Sequence, residues 1–552
     1  EVIKGPQTVL WGPGASAGTV RFERDIPFFD EPGAQFNASL TFGSFRRNDQ
    51  VVDTALGNAQ GYARLTANRS QSGDYEDGNG ETVPSAWKKW NADVAMGWTP
   101  DADTLLEVSA GNGDGQARYA GRGMDGSQFD RTSYGLRAER RNFDGALDSV
   151  EARLYYNDVD HVMDNYTLRD PDPDSSMPMP MASNVAQRTT GGRVAFSWKT
   201  DAWDLQAGLD QRDSRHRKRS AMGRDAYRAV PWTTDARFAN LGVFAELGWN
   251  LTPRQRLVGG LRLDHATVED ERATTGNMMP RPNPTADQTR RETLPSALVR
   301  WEVQPVGSSV MWHVGLGHVQ RMPDYWELFS PTLGPSGSIN AFAGVEPERT
   351  TQLDLGLHYR EGRWDAWASL YAGRIQDYIL FKYSQGMMGA TTQASNIDAD
   401  IRGGELGVEF RPVADWKLGG SLAYAWGDID GVGALPQTPP LEARLTAAYD
   451  NKRWSVGALL RAVSAQDRTS PGYGNVVGQD LGPSPGFAVF SLNGGYRITQ
   501  RLQLAAGIDN LFDRAYAEHL NLAGNSAFGY PADPVRINEP GRSAWLKLNY
   551  KY

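Results

Sequence analysis

From Ala34 onward the chain alternates. Ala34, Phe36, Ala38, Leu40 and Phe42 are apolar, while Gln35, Asn37, Ser39, Thr41 and Gly43 between them are polar or small. A period of two gives an extended strand one face for lipid or core and one for water. The pattern returns at Ala63, Leu65 and Ala67, at Leu106, Val108 and Ala110, and at Val150, Ala152, Leu154 and Tyr156. It is still present in Ala544, Leu546, Leu548, Tyr550 and Tyr552, and no long helical period competes with it.

The connections alternate as well. Short turns are predicted near Pro100-Asp101, Phe143-Asp144-Gly145, Lys199-Thr200-Asp201, Leu251-Thr252-Pro253, Glu361-Gly362-Arg363, Val413-Ala414-Asp415 and Thr499-Gln500. Long polar loops are predicted near 112–130, 159–186, 213–235, 268–290, 320–349, 427–441, 466–485 and 514–541. Short turns on one rim and long loops on the other describe a membrane barrel. The expected fold is all-β, a transmembrane antiparallel β-barrel of about 22 strands. A soluble propeller would need blade repeats of even length, and the sequence has none.

Composition narrows this reading. With 22% charged residues and a mean hydropathy of −0.53 the chain is no helical membrane bundle, since it has no run of ~18 apolar residues. A membrane barrel remains open, because only alternate strand residues face lipid. The 60 Gly suit tight turns, and the 17 Trp, 21 Tyr and 19 Phe suit interfacial girdles. The absence of Cys excludes disulfides, thiolate metal sites and Cys nucleophiles within these residues. A net charge of −9 argues against nucleic acid as a partner.

The segment Glu1 to Arg24 differs from the rest. A strand at Val2-Ile3 turns at Gly5-Pro6, and an apolar stretch follows at Val9, Leu10 and Trp11. Small residues from Gly12 to Gly18 then lead to a second strand from Thr19 to Phe22. Such a run cannot bury itself alone. It does not fit a phosphate loop either, since no Lys-Ser/Thr follows the last Gly.

Val2, Ile3, Lys4, Gly5, Pro6, Leu10, Gly12, Gly14, Ala15 and Gly18 resemble the end of the plug domain of TonB-dependent outer-membrane receptors. Three further segments resemble the barrels of that family: Arg321-Met322-Pro323 with Glu327-Leu328-Phe329, Asn396 through Glu405, and Asn510-Leu511-Phe512-Asp513 with Tyr516. The last strand ends on aromatic Tyr552, the type of terminus that outer-membrane assembly reads. The resemblance implies a plug remnant over 1–30 and a barrel over 31–552. It also implies a multi-pass protein of the Gram-negative outer membrane, monomeric, surrounded by membrane lipid and lipopolysaccharide. Its energy would come from the TonB-ExbB-ExbD complex. Because the chain starts at Glu1 and carries no signal peptide, it reads as a processed or truncated product whose TonB-contacting segment would lie upstream.

The sharpest candidate chemistry follows Tyr156. His161 and Met163 stand two apart, so an extended backbone points both side chains the same way. Met177, Met179 and Met181 alternate with Pro178 and Pro180, which hold the run extended. Thioether sulfur selects Cu(I), and imidazole also suits copper. The set does not resemble a zinc site. His161-Val162-Met163-Asp164-Asn165, together with the stretch from Thr8 to Arg24, resembles the copper-receptor branch of the family. That branch implies copper, as Cu(I) or Cu(II), held by a barrel His-x-Met pair and a plug Cys-x-x-x-Met pair. His161 and Met163 match the first, and the second would fall upstream of Glu1. The Met-Pro run is not part of the branch motif, and reads either as a capture patch or as loop filler. Met124, Met222, Met278, Met279, Met322, Met387 and Met388 are also expected in loops.

Asp170, Asp172 and Asp174 read as solvated loop charge, and the other histidines (His216, His265, His313, His318, His358, His519) show no ligand spacing. The alternatives are a receptor for a ferric siderophore or other chelate, a barrel hydrolase and a passive porin. The first would use Arg212, Arg215, Arg217 and Arg219 above the plug. The second would need a Ser or Thr beside a His such as His265 or His313. The third should lack Glu1 to Arg24. No covalent chemistry is expected, so the chain is not read as an enzyme.

Overall fold

The computed structural model describes every residue except 176, 276–280, 306, 387–388, 526–527 and 532. Met278, Met279, Met387 and Met388 therefore lie outside the described residues. A closed antiparallel barrel of 22 strands forms the wall. The first seven are β1 (Gly33–Gly43), β2 (Arg47–Asn58), β3 (Gly61–Ser72), β4 (Trp87–Trp98), β5 (Thr104–Ala117), β6 (Asp125–Arg141) and β7 (Leu147–Asp164). Then come β8 (Met181–Lys199), β9 (Trp203–Met222), β10 (Thr233–Thr252), β11 (Gln255–Asp270), β12 (Gln288–Val303), β13 (Val310–Arg321), β14 (Glu348–Glu361) and β15 (Trp364–Gly386). The last are β16 (Gly389–Phe410), β17 (Trp416–Ile429), β18 (Glu442–Asp450), β19 (Trp454–Val463), β20 (Phe487–Arg497), β21 (Leu502–Asp509) and β22 (Ser543–Lys551). Closure comes from β1 on β22, with Phe42 opposite Leu546, so the wall has no free edge.

The alternation does what its period requires. On β10 Leu241, Val243, Leu247 and Trp249 are exposed on the outer face, while Asn240, Gly242, Phe244 and Gly248 are buried toward the inside. The short-turn rim carries aromatic pairs: Trp301 with Trp312, Trp364 with Phe410, Trp416 with Tyr449, and Trp454 with Tyr496. Amphipathic rings gather there because that is where apolar and aqueous surroundings meet.

Several predicted loops begin too early. β5 continues to Ala117, β7 to Asp164 and β9 to Met222, where loops were expected from 112, 159 and 213. Beyond the apolar belt β5 and β9 are largely polar on both faces, and β7 carries Val159, Val162 and Met163 on opposite faces among polar residues, so the amphipathic signal ends although the hydrogen-bonded ladder does not. His161 and Met163 thus sit on a strand, not in a loop. The 320–349 connection also holds two short helices, Tyr325–Phe329 and Ala341–Gly344. The first has a capping box in which Asp324 accepts from Glu327 N and Glu327 accepts from Asp324 N.

Val2–Lys4 pairs antiparallel with Gly18–Val20 in a separate two-stranded sheet, close to the expected hairpin. This segment lies against the inner face of the wall. Arg300 Nη1 donates to Gln7 O at 2.9 Å, Gln7 Nε2 to Asp354 at 2.7 Å, and Thr8 Oγ1 to Glu246 at 3.1 Å. Trp11 is stacked by Arg193 at 4.2 Å, and Arg193 also donates to Leu10 O at 2.6 Å. Beneath it Arg262, nearly inaccessible, pairs with Asp210 and Asp264, both at 2.7 Å. Removing one partner of such a buried network costs about 3–5 kcal/mol, because the others are left unpaired. Gly14 packs on Arg321, where an added Cβ would come within 2.7 Å of Arg321 Cβ. Arg321 holds Glu327 with two bonds of 2.8 Å and Glu348 at 2.6 Å.

A candidate soft-metal site on the inner wall

Odd-numbered residues of β7 face inward: Arg153 reaches Glu23 of the N-terminal segment at 3.6 Å, while Leu154 is exposed outside. The same parity turns His161 and Met163 to the inside. His161 lies opposite Phe129 on β6 and Met163 opposite Gly126, with a bulge between Gly126 and Gln128. The His161 ring stacks on Phe129 with centroids 4.3 Å apart and planes 22° apart. Its Nε2 is buried without a hydrogen-bond partner among the described residues. A Cβ at Gly126 would come within 2.3 Å of the Phe129 ring and 3.4 Å of that nitrogen, so glycine keeps the space beside it open. From the outer side, fully buried Asn184 donates to His161 O at 3.2 Å and to Asp160, and accepts from Arg219 at 2.8 Å.

One side chain organises the Met-Pro run. Asn165, only 2% exposed, donates to Met177 O and Met179 O, both at 3.0 Å, and accepts from Met181 N at 2.9 Å. The three methionines then diverge. The Met177 methyl packs over Gly123, Met179 is 58% exposed, and Met181 opens β8. Met163 faces Ser183, which places Met181 two residues along on the same inner face. Such diagonal neighbours lie roughly 7–8 Å apart, within reach of long side chains. Met181 is in turn opposite Met222 at the end of β9. The structure therefore brings Met163, Met181 and Met222 onto one inner face, whereas the Met177 methyl lies against Gly123. Met222 was legible only as one more loop methionine, because its partnership depends on strand register.

Among the described residues no group of three or more His, Cys, Asp or Glu is placed to hold a metal ion. A site here would rest on imidazole and thioether. Asp172 accepts from Asp174 N at 2.9 Å, closing the acidic turn on itself. His216 stacks on Tyr325 at 4.2 Å, His318 bonds Thr351 at 2.9 Å, and His358 bonds Asp365 at 2.7 Å. His265 shares the outer face with Leu241 and Leu263, and His313 fills the space over Gly356. Among the described residues a Ser–His contact lies elsewhere, between Ser484 Oγ and His519 Nδ1 at 2.9 Å, with both residues buried. Of the arginines considered for a chelate, Arg212 faces inward with Asp210. Arg215, Arg217 and Arg219 point to the outer face, a correction that only register supplies.

A family described as "TonB dependent receptor-like, beta-barrel" matches residues 21–511. Among solved structures the chain is similar to the copper transporter OprC, with 54% identity and a TM-score of 0.98 over all of this chain and 85% of that one. It is also similar to the FrpB iron transporter of Neisseria meningitidis (TM-score 0.72, 16% identity, all of this chain and 87% of that one), a likeness of fold. Among characterised proteins it is 22% identical to the pesticin receptor of Yersinia enterocolitica, over 96% of this chain and 78% of the receptor. It is 21% identical to the ferric enterobactin receptor PirA of Pseudomonas aeruginosa, over 100% and 79%.

Proposed function

This chain belongs to the TonB-dependent receptors, β-barrel proteins of the Gram-negative outer membrane that work with the energy-transducing TonB complex, and from that premise we propose that its cargo is copper. His161 and Met163 are two of the ligands. The observation that carries the reading is the unpartnered His161 Nε2, held open by Gly126, two residues from a thioether on the same face. Neutral imidazole and thioether form a soft, uncharged donor pair that suits Cu(I). Such a pair lacks the oxygens that Ca²⁺ and Mg²⁺ require. The similarity to OprC, a copper transporter, supports the same cargo.

In this reading Met179, Met181 and Met222 pass copper from the loop side toward Met163, and residues 1–30 act as the end of a plug over which 31–552 form the barrel. Release draws on the TonB-ExbB-ExbD complex, and no covalent bond of the cargo is made or broken. The receptor acts as a monomer.

The test is copper retention. The purified receptor is loaded with Cu(I) under reducing conditions, washed, and compared with His161→Ala/Met163→Ala. Wild type should keep copper and the double variant lose it. If neither keeps copper while a ferric siderophore binds both, the cargo is a chelate and the His-x-Met pair is coincidence.

A further inference from the structure

Near the short-turn rim, strand register assembles a second set of soft donors on the inner wall. Met311 and His313 stand two apart on β13, on the face where Gly315 lies against Gln7 and Gly317 against Pro6. Trp312 between them points outward to its girdle partner Trp301. His358 on β14 is the register partner of Met311. It shares the face of Asp354, which accepts from Gln7, so it too faces the lumen. The His313 ring leans onto β14: a Cβ at Gly356 would come within 2.5 Å of its Nε2 and 2.6 Å of its Nδ1. Gly356 and His358 are successive residues of that face, so the two imidazoles are neighbours. Met311 is 46% exposed toward the lumen.

The surroundings suit a cation. His358 Nε2 meets Asp365 Oδ1 at 2.7 Å. A carboxylate only accepts, so Nε2 carries the proton and Nδ1 is left bare. A carboxylate behind a histidine in this way orients the ring and raises its basicity toward a metal. Asp365 is itself held, because Arg360 Nε donates to its other oxygen at 2.7 Å. Glu302, opposite His313 on β12, accepts from Arg300 Nε at 2.7 Å. Both neighbouring guanidinium groups are therefore paired with carboxylates and do not repel a cation as a free one would. Above the set Gln7 closes the space over Gly315, its Oε1 buried and without a partner among the described residues.

We propose that Met311, His313 and His358 form a second Cu(I) site, through which copper leaves the lumen. Two imidazoles and a thioether are neutral donors, and the thioether selects Cu(I). The short-turn rim is the periplasmic one. His161 lies near the long-loop end of β7 and Met311 near the short-turn end of β13, while the N-terminal segment meets the wall between these heights, at Arg193 and Gly315. The open side of Met311 makes this the faster-exchanging set, so it empties in a wash that His161 and Met163 survive. The exit role rests on the copper reading above; the binding does not.

The test titrates the receptor in detergent with Cu(I) under reducing conditions, without a wash. Diethyl pyrocarbonate acylation of each histidine, read by mass spectrometry, reports which rings the metal protects. In the His161→Ala/Met163→Ala background Cu(I) should still protect His313 and His358. Adding Met311→Leu should raise the Cu(I) concentration needed by about tenfold, and Asp365→Asn by a similar factor. Leucine conserves the volume of methionine, so that variant does not endanger the barrel. If Cu(I) protects neither histidine in that background, or if Met311→Leu leaves the titration unchanged, the proposal is overturned. If His313 and His358 are protected while wild type shows no protection at His161, this second site stands and the reading of His161 as a ligand falls.

Discussion

Two histidines of this barrel share a feature and differ in everything around it. His161 on the inner wall and His519 in the loop after β21 each have a buried Nε2 without a partner among the described residues. His519 is 6% exposed, its Nδ1 meets Ser484 Oγ, and the Arg536 guanidinium lies 3.5 Å from the ring while also donating to His519 O at 3.0 Å. A fixed cation repels a metal ion. His161 instead has an aromatic face beneath it, a glycine beside its free nitrogen, and thioethers at Met163 and Met181 along the same face. An unpartnered nitrogen is a vacancy of the fold; its neighbours decide whether a cation can use it.

The largest test of that contrast is the pair of single variants. His161→Ala should weaken Cu(I) binding by more than roughly 100-fold, because groups that only orient a ligand already cost about 10–100-fold. His519→Ala should leave it unchanged; competition with a calibrated Cu(I) chelator reads both. Equal losses would dissolve the distinction.

Next comes glycine. Gly126→Val should push Phe129 and the His161 ring aside and weaken copper about 10–100-fold. Gly123→Ala meets only the Met177 methyl, the flexible end of a long side chain, and should cost little. The same chelator titration separates them.

A smaller effect is expected along the methionines. Met181→Leu should slow copper loading severalfold in stopped flow without changing the equilibrium at His161, whereas Met177→Leu should change neither. A slower rate for Met177→Leu would mean that its sulfur serves as a ligand and not as packing.

The smallest is a pH effect at His519. Burial, and after it Arg536, holds this imidazole below the ordinary histidine value. The packed loop therefore refuses a proton that the open loop accepts. Its local stability is intact above the ordinary histidine range and falls as pH drops through it. Amide protection around His519, corrected for the intrinsic slowing of exchange with falling pH, should drop between neutral and mildly acidic pH, and His519→Asn should remove the dependence.

Much of this was readable without coordinates. Alternation marked the strands, the short turns fell where Pro, Gly and Asp cluster, and His161 with Met163 shared a face because i and i+2 always do in an extended chain. The N-terminal hairpin was legible for the same local reason. Strand ends were not: beyond the lipid belt β9 is polar on both faces and β7 mixes Val159, Val162 and Met163 with polar residues on both, so the period of two carries no contrast to read.

Sequence alone determined the barrel, its two unlike rims and the soft-donor pair, since each depends on residues within a few positions of one another. Tertiary structure decided that Phe129 and Gly126 lie opposite His161 and Met163, that Met181 meets Met222, and that Arg215 turns outward. These pairings join residues distant along the chain. They depend on register, and one slipped residue would exchange the inner and outer faces of a whole strand. No local pattern encodes that choice; closing the ring of 22 strands does.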